Sequence, residues 1–257
     1  MTASRMPALF IGHGSPMNAV EDNEFSRAWS KAGRSLPRPK AILCISAHWE
    51  TKGTQVTAME KPKTIYDFYG FPPELYAVQY PAAGSPNLAR RIQELVKPVE
   101  VVQDLSWGLD HGAWSVLCRL FPQADVPVVQ LSLDRSISPQ AHYDLGQQLG
   151  ALRKEGILIV GSGNVVHNLG RIAWEDTAFD WANEFDDAVR NWILAGDHEA
   201  LIRYQAQGPL AALAINSAEH YKPLLYVLGA ARPGESVHFF VEKVTLGSIS
   251  MRSFKVG

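Results

Sequence analysis

Three consecutive segments decide the fold. They are VPVVQLSL (126–133), a helical stretch that begins at Ser138-Pro139, and GILIVGS (156–162). The two apolar segments are rich in β-branched residues and are typical of buried strands. Between them leucines recur at helical spacing, and a serine followed by proline commonly begins a helix. A strand, a helix and a second strand in this order predict a βαβ unit with parallel strands.

The same alternation extends through the rest of the chain. Further apolar runs predict strands at PALFI (7–11), AILCIS (41–46), TQVTAM (54–59), VEVVQ (99–103) and SVHFFVEKV (236–244). Helical patterns run from Ser85-Pro86 to Pro98 and from about 178 to 195. We therefore predict an α/β fold in which residues 1–257 form a single catalytic domain, with a mainly parallel central sheet flanked by helices.

Composition restricts the classes of partner. The chain has 257 residues, a net charge of −2 and 46% hydrophobic residues. A balanced charge provides no basic surface for nucleic acid, and no apolar run reaches the ~18 residues of a membrane span. The N-terminal stretch MTASRMPALFIGHG contains no long apolar region, which favours a cytoplasmic protein. The segment GSGNVV (161–166) lacks the third glycine of a dinucleotide fingerprint, so we predict a small-molecule partner other than a nucleotide.

Five of the eight histidines lie where a parallel sheet collects its ligands, beyond the carboxyl ends of strands or before helices. His13 directly follows the first predicted strand and His48 the second. His167 lies five residues past GILIVGS. His111 lies in a loop just before a helix, and His220 begins an apolar helical run.

Glycines make the pattern around His13 more specific. Gly12 and Gly14 flank this histidine, and a histidine between glycines suits a tight turn better than core packing. Neutral imidazole is a common ligand of zinc and iron, so His13 and His48 are predicted to bind a metal. The other three histidines lie in polar helical stretches or in a late strand and are interpreted as structural: His142, His198 and His238.

Six segments together resemble one known family. They are GHGSP (12–16), SAHW (46–49), YDFYGFPPELY (66–76), LDHGAW (109–114), GSGNVVHNL (161–169) and EHYKPLLY (219–226). In this order they are similar to the LigB-type class III extradiol ring-cleavage dioxygenases, and in particular to the DOPA-dioxygenase-like branch. The resemblance covers most of the chain, from residue 12 to residue 226.

The resemblance implies a non-haem Fe(II) enzyme that opens the ring of a catechol with O₂. It implies that His13 and His48 bind the metal and that His220 is the third ligand. The wider family uses a glutamate as third ligand, and Glu219 is available in this sequence in place of His220. Zn(II) is the alternative occupant, because it binds such histidine sites more strongly than Fe(II) does.

The resemblance also assigns roles outside the ligand set. His167 corresponds to the acid–base histidine and also approaches the metal, and His111 corresponds to a second histidine near substrate or O₂. Two other functions stay open: a zinc protein of the same fold with hydrolytic or other non-oxidative activity, and a non-catalytic relative that binds a partner in the cleft. A histidine retained for proton transfer argues against the last of these.

The aromatic run at 66–76 has two interpretations. Its rings either line a pocket for a planar substrate or pack on the core from a proline-rich loop. Trp49 and Trp107 allow the same two interpretations. Lys222 and Arg135 are candidate partners for the carboxylate of a DOPA-like substrate.

Overall fold

The computed structural model describes residues 5–257, so the first four residues of the N-terminal stretch lie outside it. Its strands are β1 (Ala8–Gly12), β2 (Ala41–Thr51), β3 (Thr54–Thr57), β4 (Val101–Asp104), β5 (Val128–Asp134), β6 (Ile157–Gly163), β7 (Val237–Val241), β8 (Val244–Thr245), β9 (Ile249–Ser250) and β10 (Ser253–Val256). Its α-helices are α1 (Glu24–Ser35), α2 (Pro73–Tyr76), α3 (Pro86–Leu95), α4 (His111–Leu120), α5 (Pro139–Leu149), α6 (Asp180–Ala195), α7 (His198–Ile202), α8 (Pro209–Ala214) and α9 (Lys222–Gly229). Within residues 5–257, no helix combines the length and apolar character that a membrane span requires.

Eight of the strands form one central sheet in the order β4-β3-β5-β2-β6-β1-β10-β7. The inner strands β5, β2, β6 and β1 run parallel to one another. Strands β10 and β7 extend one edge in antiparallel fashion, and β3 meets β5 through a single antiparallel pair. The prediction of an α/β fold with a mainly parallel sheet is therefore confirmed.

Side chains on successive residues of the inner strands point to opposite faces, and each face is covered by helices. On β1, Ala8 and Phe10 pack in one core cluster with residues of α3, α5, α6 and α9. Leu9 and Ile11 pack in a second cluster with residues of α1 and α4. This double cover explains why the inner strands are apolar almost throughout.

Strand β10 and helix α1 are not predicted by the sequence patterns. Strand β10 is only four residues long, and it exists because it pairs with β1, more than 240 positions away. Helix α1 begins at a capping box between Asn23 and Ser26. The strand predicted at 236–244 was too long, because the chain breaks into β7 and β8 after Val241.

Strand β2 contains an irregularity that places His48. The prediction that His48 follows this strand was wrong, because β2 continues to Thr51. Pairing with β6 ends at Ser46, while on the other side the register jumps from Ile45↔Leu131 to Glu50↔Leu133. Residues between these pairs bulge out of the ladder, and His48 lies in the bulge.

Between α5 and α9 the ring of His142 is fully buried, and its Nδ1 lies 3.0 Å from the hydroxyl of Tyr226. This contact agrees with the structural interpretation of His142. Burial, followed by repulsion from Lys222, lowers the pKa of His142 to about 4. The folded protein therefore holds this imidazole neutral, whereas the unfolded chain takes up a proton near pH 6.5.

We expect stability that is present above pH 6.5 to be lost as the pH falls toward 4, because the unfolded state binds the His142 proton first. Between pH 7 and pH 5 the metal-free wild-type protein should lose about 2 kcal/mol more unfolding free energy than the variant His142→Gln. Urea unfolding at both pH values measures this difference. Equal losses in the two proteins would contradict it.

Candidate metal centre

Five histidines meet at the carboxyl edge of the parallel strands. His13 directly follows β1, and its backbone N–H donates to the carbonyl of Gly163 at the end of β6. Gly14 has a φ of +56°, which lets the chain turn immediately after His13. His220 precedes α9, and its carbonyl accepts a hydrogen bond of 2.8 Å from the backbone of Asn164, just beyond β6.

The rings of His13, His48 and His220 form a nearly equilateral triangle. Their centroids are 5.0 Å (His13–His48), 5.2 Å (His13–His220) and 5.0 Å (His48–His220) apart. One nitrogen from each ring lies within 4.8 Å of the other two. His13 and His220 are 1% and 5% exposed, whereas the side chain of His48 is 19% exposed, so the triangle opens toward solvent at His48.

The hydrogen bonds of His13 fix which of its nitrogens is free. The hydroxyl of Ser162 donates to the carbonyl of Gly112 at 2.6 Å, so it has no proton left for a second partner. Its oxygen lies 3.0 Å from Nδ1 of His13 and must therefore accept from an Nδ1–H group. The lone pair of this neutral imidazole is then on Nε2.

Carboxylates do the same for the other two rings. Nδ1 of His48 lies 3.3 Å from a carboxylate oxygen of Asp67, and Nδ1 of His220 lies 3.0 Å from Oε1 of Glu219. A carboxylate beside Nδ1 favours the tautomer with the proton on Nδ1, and in His220 this N–H donates a hydrogen bond to Glu219. Nε2 of each ring is then unprotonated. Glu219 therefore lies against Nδ1 of His220, and which of these two residues is the third ligand stays a prediction.

The donors fit a divalent metal. Nε2 of His13 and Nε2 of His48 lie 3.1 Å apart, and both carry lone pairs when the proton of each ring is on Nδ1. Two lone pairs at this distance repel unless a cation or a proton lies between or beside them. Three neutral imidazoles that leave one side open match the donor set of zinc and non-haem iron sites that accept a further ligand.

Burial keeps these rings neutral. It lowers the pKa of His13 and His220 well below the usual value, and the neighbouring histidines lower it further. Burial and His111 lower the pKa of His48 to about 3. Because a metal binds the unprotonated nitrogen, all three rings can act as ligands at neutral pH without first losing a proton.

Two further histidines lie beside the triangle, one next to His48 and one next to His220. His111 lies beside His48, with ring centroids 3.8 Å apart, and His167 stacks in parallel on His220 at 3.4 Å. His111 is the first residue of α4, so the prediction that it lies in the loop before this helix was wrong. Burial lowers the pKa of His167 to about 4, which leaves it neutral and able to accept a proton.

Sequence reasoning missed the two aspartates that hold this region together. Asp110 is fully buried and accepts hydrogen bonds from Ser46 (2.6 Å) and Gln130 (2.7 Å), and it caps α4 through Ala113. Burial, followed by repulsion from Asp67, raises the pKa of Asp110. Asp67 lies inside the aromatic run, and no local pattern in the sequence relates its carboxylate to the histidines.

The aromatic run mainly packs on the core. Tyr66, Phe68 and Phe71 belong to the second core cluster, while Tyr69 is 94% exposed. The ring of Phe68 also meets His111 edge-on at 5.5 Å, so one ring of the run borders the histidines.

Three of the other four candidates for substrate contact are engaged with other side chains. Trp49 and Trp107 stack on each other, with ring centroids 5.6 Å apart. Lys222 forms an ion pair of 2.9 Å with Glu50, whereas Arg135 is exposed. Lys222 is therefore already paired, and a role for either cation in binding a substrate carboxylate stays a prediction.

Fold and site together define an α/β protein with a cleft of neutral histidines that can hold a metal. The family model for the catalytic LigB subunit of aromatic ring-opening dioxygenases matches residues 5–252, and the chain belongs to this family. It is thus a ring-cleavage dioxygenase, and its family is metal-dependent.

Relatives of known name span nearly the whole chain. It is 49% identical over 264 aligned positions to a 4,5-DOPA dioxygenase extradiol of Escherichia coli K12, covering 100% of this chain and 97% of the relative. It is 40% identical over 254 positions to the protein of that name from Beta vulgaris, covering 96% and 95%. The crystal structure of an uncharacterised protein from Escherichia coli K12 superposes with a TM-score of 0.87 at 46% identity, covering 98% of this chain and 100% of the other.

Proposed function

We propose that residues 1–257 act as one catalytic domain that opens the ring of a catechol, DOPA or a close analogue, by extradiol cleavage with O₂. The observation that carries this proposal is the triangle of His13, His48 and His220, in which each Nδ1 faces a hydroxyl or carboxylate oxygen and each Nε2 is left for a metal. The names of the relatives support a DOPA-like substrate. Cytoplasmic location stays a prediction.

In this proposal His13, His48 and His220 hold Fe(II), and Zn(II) can occupy the same ligands. The bound metal would hold the catechol oxygens and, as iron, would pass electrons from the catechol to O₂. Both atoms of O₂ enter the product and one ring C–C bond beside the diol breaks, so no further reductant is consumed.

The chain's own contribution is proton transfer and orientation. His167, neutral and stacked on the ligand His220, takes a proton from a catechol hydroxyl and returns it when the O–O bond breaks. His111, beside the exposed corner at His48, orients the bound diol or O₂. The edge of Phe68 against His111 supports a ring-shaped substrate at this corner.

The direct test is anaerobic loading with Fe(II), followed by catechol or DOPA and then O₂. We expect one O₂ consumed per substrate and a yellow ring-opened semialdehyde. The Zn(II)-loaded protein is the matched control and should consume no O₂, because zinc has no redox chemistry. No oxygen uptake with any catechol would contradict the proposal and favour the non-oxidative zinc alternative.

A separate prediction concerns the third ligand. We expect His220→Ala to lose the metal, whereas Glu219→Gln keeps it with an affinity weakened roughly 10- to 100-fold, because Oε1 of Glu219 lies 3.0 Å from Nδ1 of His220 and acts through that ring. Metal content after dialysis and titration with Zn(II) distinguish the two variants. The reverse pattern would make Glu219 the ligand.

A further inference from the structure

The carboxylate of Asp67 meets two of the clustered histidines at once. Oδ1 accepts a hydrogen bond of 2.8 Å from the backbone N–H of His111. Oδ2 lies 3.0 Å from Nδ1 of His111 and 3.3 Å from Nδ1 of His48. Although the residue as a whole is exposed, its side chain is only 19% exposed, so the carboxylate is turned inward toward the histidines.

The segment that carries Asp67 is fastened to the segment that leads into α4. The backbone N–H of Ile65 donates to the carbonyl of Leu109 at 2.7 Å, and the indole of Trp114 donates to the carbonyl of Ile65 at 2.8 Å. The hydroxyl of Tyr66 donates to the carbonyl of Val78 at 2.6 Å. These bonds hold the Asp67 carboxylate in place, so it can impose an orientation on its neighbours instead of following them.

We propose that Asp67 is a positioning residue shared by the metal ligand His48 and the substrate-side His111, and this proposal rests on the proposed function. Its negative carboxylate lies 3.3 Å from Nδ1 of His48, favours the tautomer with the proton on Nδ1 and so keeps Nε2 of that ring free for the metal. The same carboxylate holds the ring of His111 next to His48 and satisfies the first N–H of α4. One side chain thus orients both a metal ligand, His48, and a histidine beside the substrate, His111.

The variant Asp67→Asn separates this role from simple support of the loop. The amide oxygen of asparagine can still accept from the backbone of His111, so the helix cap is kept. The amide NH₂ group, however, donates, and a donor facing Nδ1 of His48 favours the tautomer with the proton on Nε2. That proton occupies the atom that the metal needs.

We expect Asp67→Asn to bind Zn(II) roughly 10- to 100-fold more weakly than wild type in a chelator competition, with an unchanged melting temperature of the metal-free protein. Bound Co(II) should show altered visible absorption. Asp104→Asn is the matched control, because the Asp104 carboxylate accepts from the backbone of Trp107 at 2.6 Å and, within residues 5–257, forms no hydrogen bond to the histidines. This control should bind metal as wild type does.

Activity at saturating Fe(II) tests the second half of the proposal. We expect Asp67→Asn to keep a raised KM for catechol when metal is saturating, because His111 is still displaced. Full recovery under excess Fe(II) would overturn the shared role, and wild-type Zn(II) affinity in Asp67→Asn would overturn the proposal altogether. If neither the wild-type protein nor His13→Ala binds metal, the proposed function itself fails, and the role of Asp67 fails with the proposed function.

Discussion

Replacing His13 by alanine is expected to abolish metal binding and, with it, all ring cleavage. His13 is 1% exposed, and its Nε2 faces that of His48 at 3.1 Å, so it supplies one of three converging lone pairs. Four-ligand zinc sites are worth about 10–16 kcal/mol, which corresponds to roughly 3 kcal/mol per ligand. The loss of one ligand from three should therefore lower metal affinity roughly 100-fold or more.

Thermal unfolding measures this without any assay of turnover. For wild type, Zn(II) at about 100 times its Kd should stabilise the folded state by about 2.7 kcal/mol and raise Tm by roughly 5–10 °C. His13→Ala should show no such shift at the same concentration. His238→Ala is the matched control, because His238 is exposed on β7 and should leave the shift intact. A normal shift in His13→Ala would remove this residue from the ligand set.

The sequence was sufficient to predict the edge of the sheet on which the histidines meet. Strands that alternate with helices run parallel, and parallel strands place their carboxyl ends together. The residues after β1 and β6 must then lie close in space, and the structure brings His13 and His167 to the same cluster as expected from that rule. The roles of these residues stay predictions.

The sequence could not place His48 or the groups that orient the rings. The bulge in β2 arises because pairing with β6 ends at Ser46 while pairing with β5 resumes at Glu50, and this depends on two other strands. Ser162 and Asp67 meet their histidines only through tertiary contacts, across 149 positions in the case of Ser162 and His13. Local patterns carry no signal for such distant partners.

Strand β10 escaped prediction for a related reason. Strand β10 alternates polar and apolar residues, but with only four residues it is too short to indicate a strand by itself. Its backbone pairs on both sides, with β1 and with β7, and this pairing makes it a strand. Beside β10, Arg252 is buried against Asp186 of α6 at 3.0 Å, which again depends on a distant partner.

Replacing His167 by alanine is expected to lower turnover roughly 100- to 10,000-fold, the range that a positioned acid–base group contributes, while the metal stays bound. His167 contacts the site through its parallel stack on His220 and forms no corner of the ligand triangle. Its low pKa of about 4 keeps it unprotonated and ready to take a proton from substrate. Metal content and oxygen uptake, measured on the same preparation, test both parts.

His167→Phe separates proton transfer from packing, because phenylalanine keeps a ring face against His220 but has no nitrogen. If proton transfer is the role, the phenylalanine and alanine variants should be equally slow, and added imidazole should restore part of the activity of the alanine variant. If packing alone matters, His167→Phe should be nearly as fast as wild type. Loss of metal from both variants would instead make His167 a ligand, an arrangement that the structure permits because ligand atoms of His167, Glu219 and His220 lie within 4.8 Å of one another.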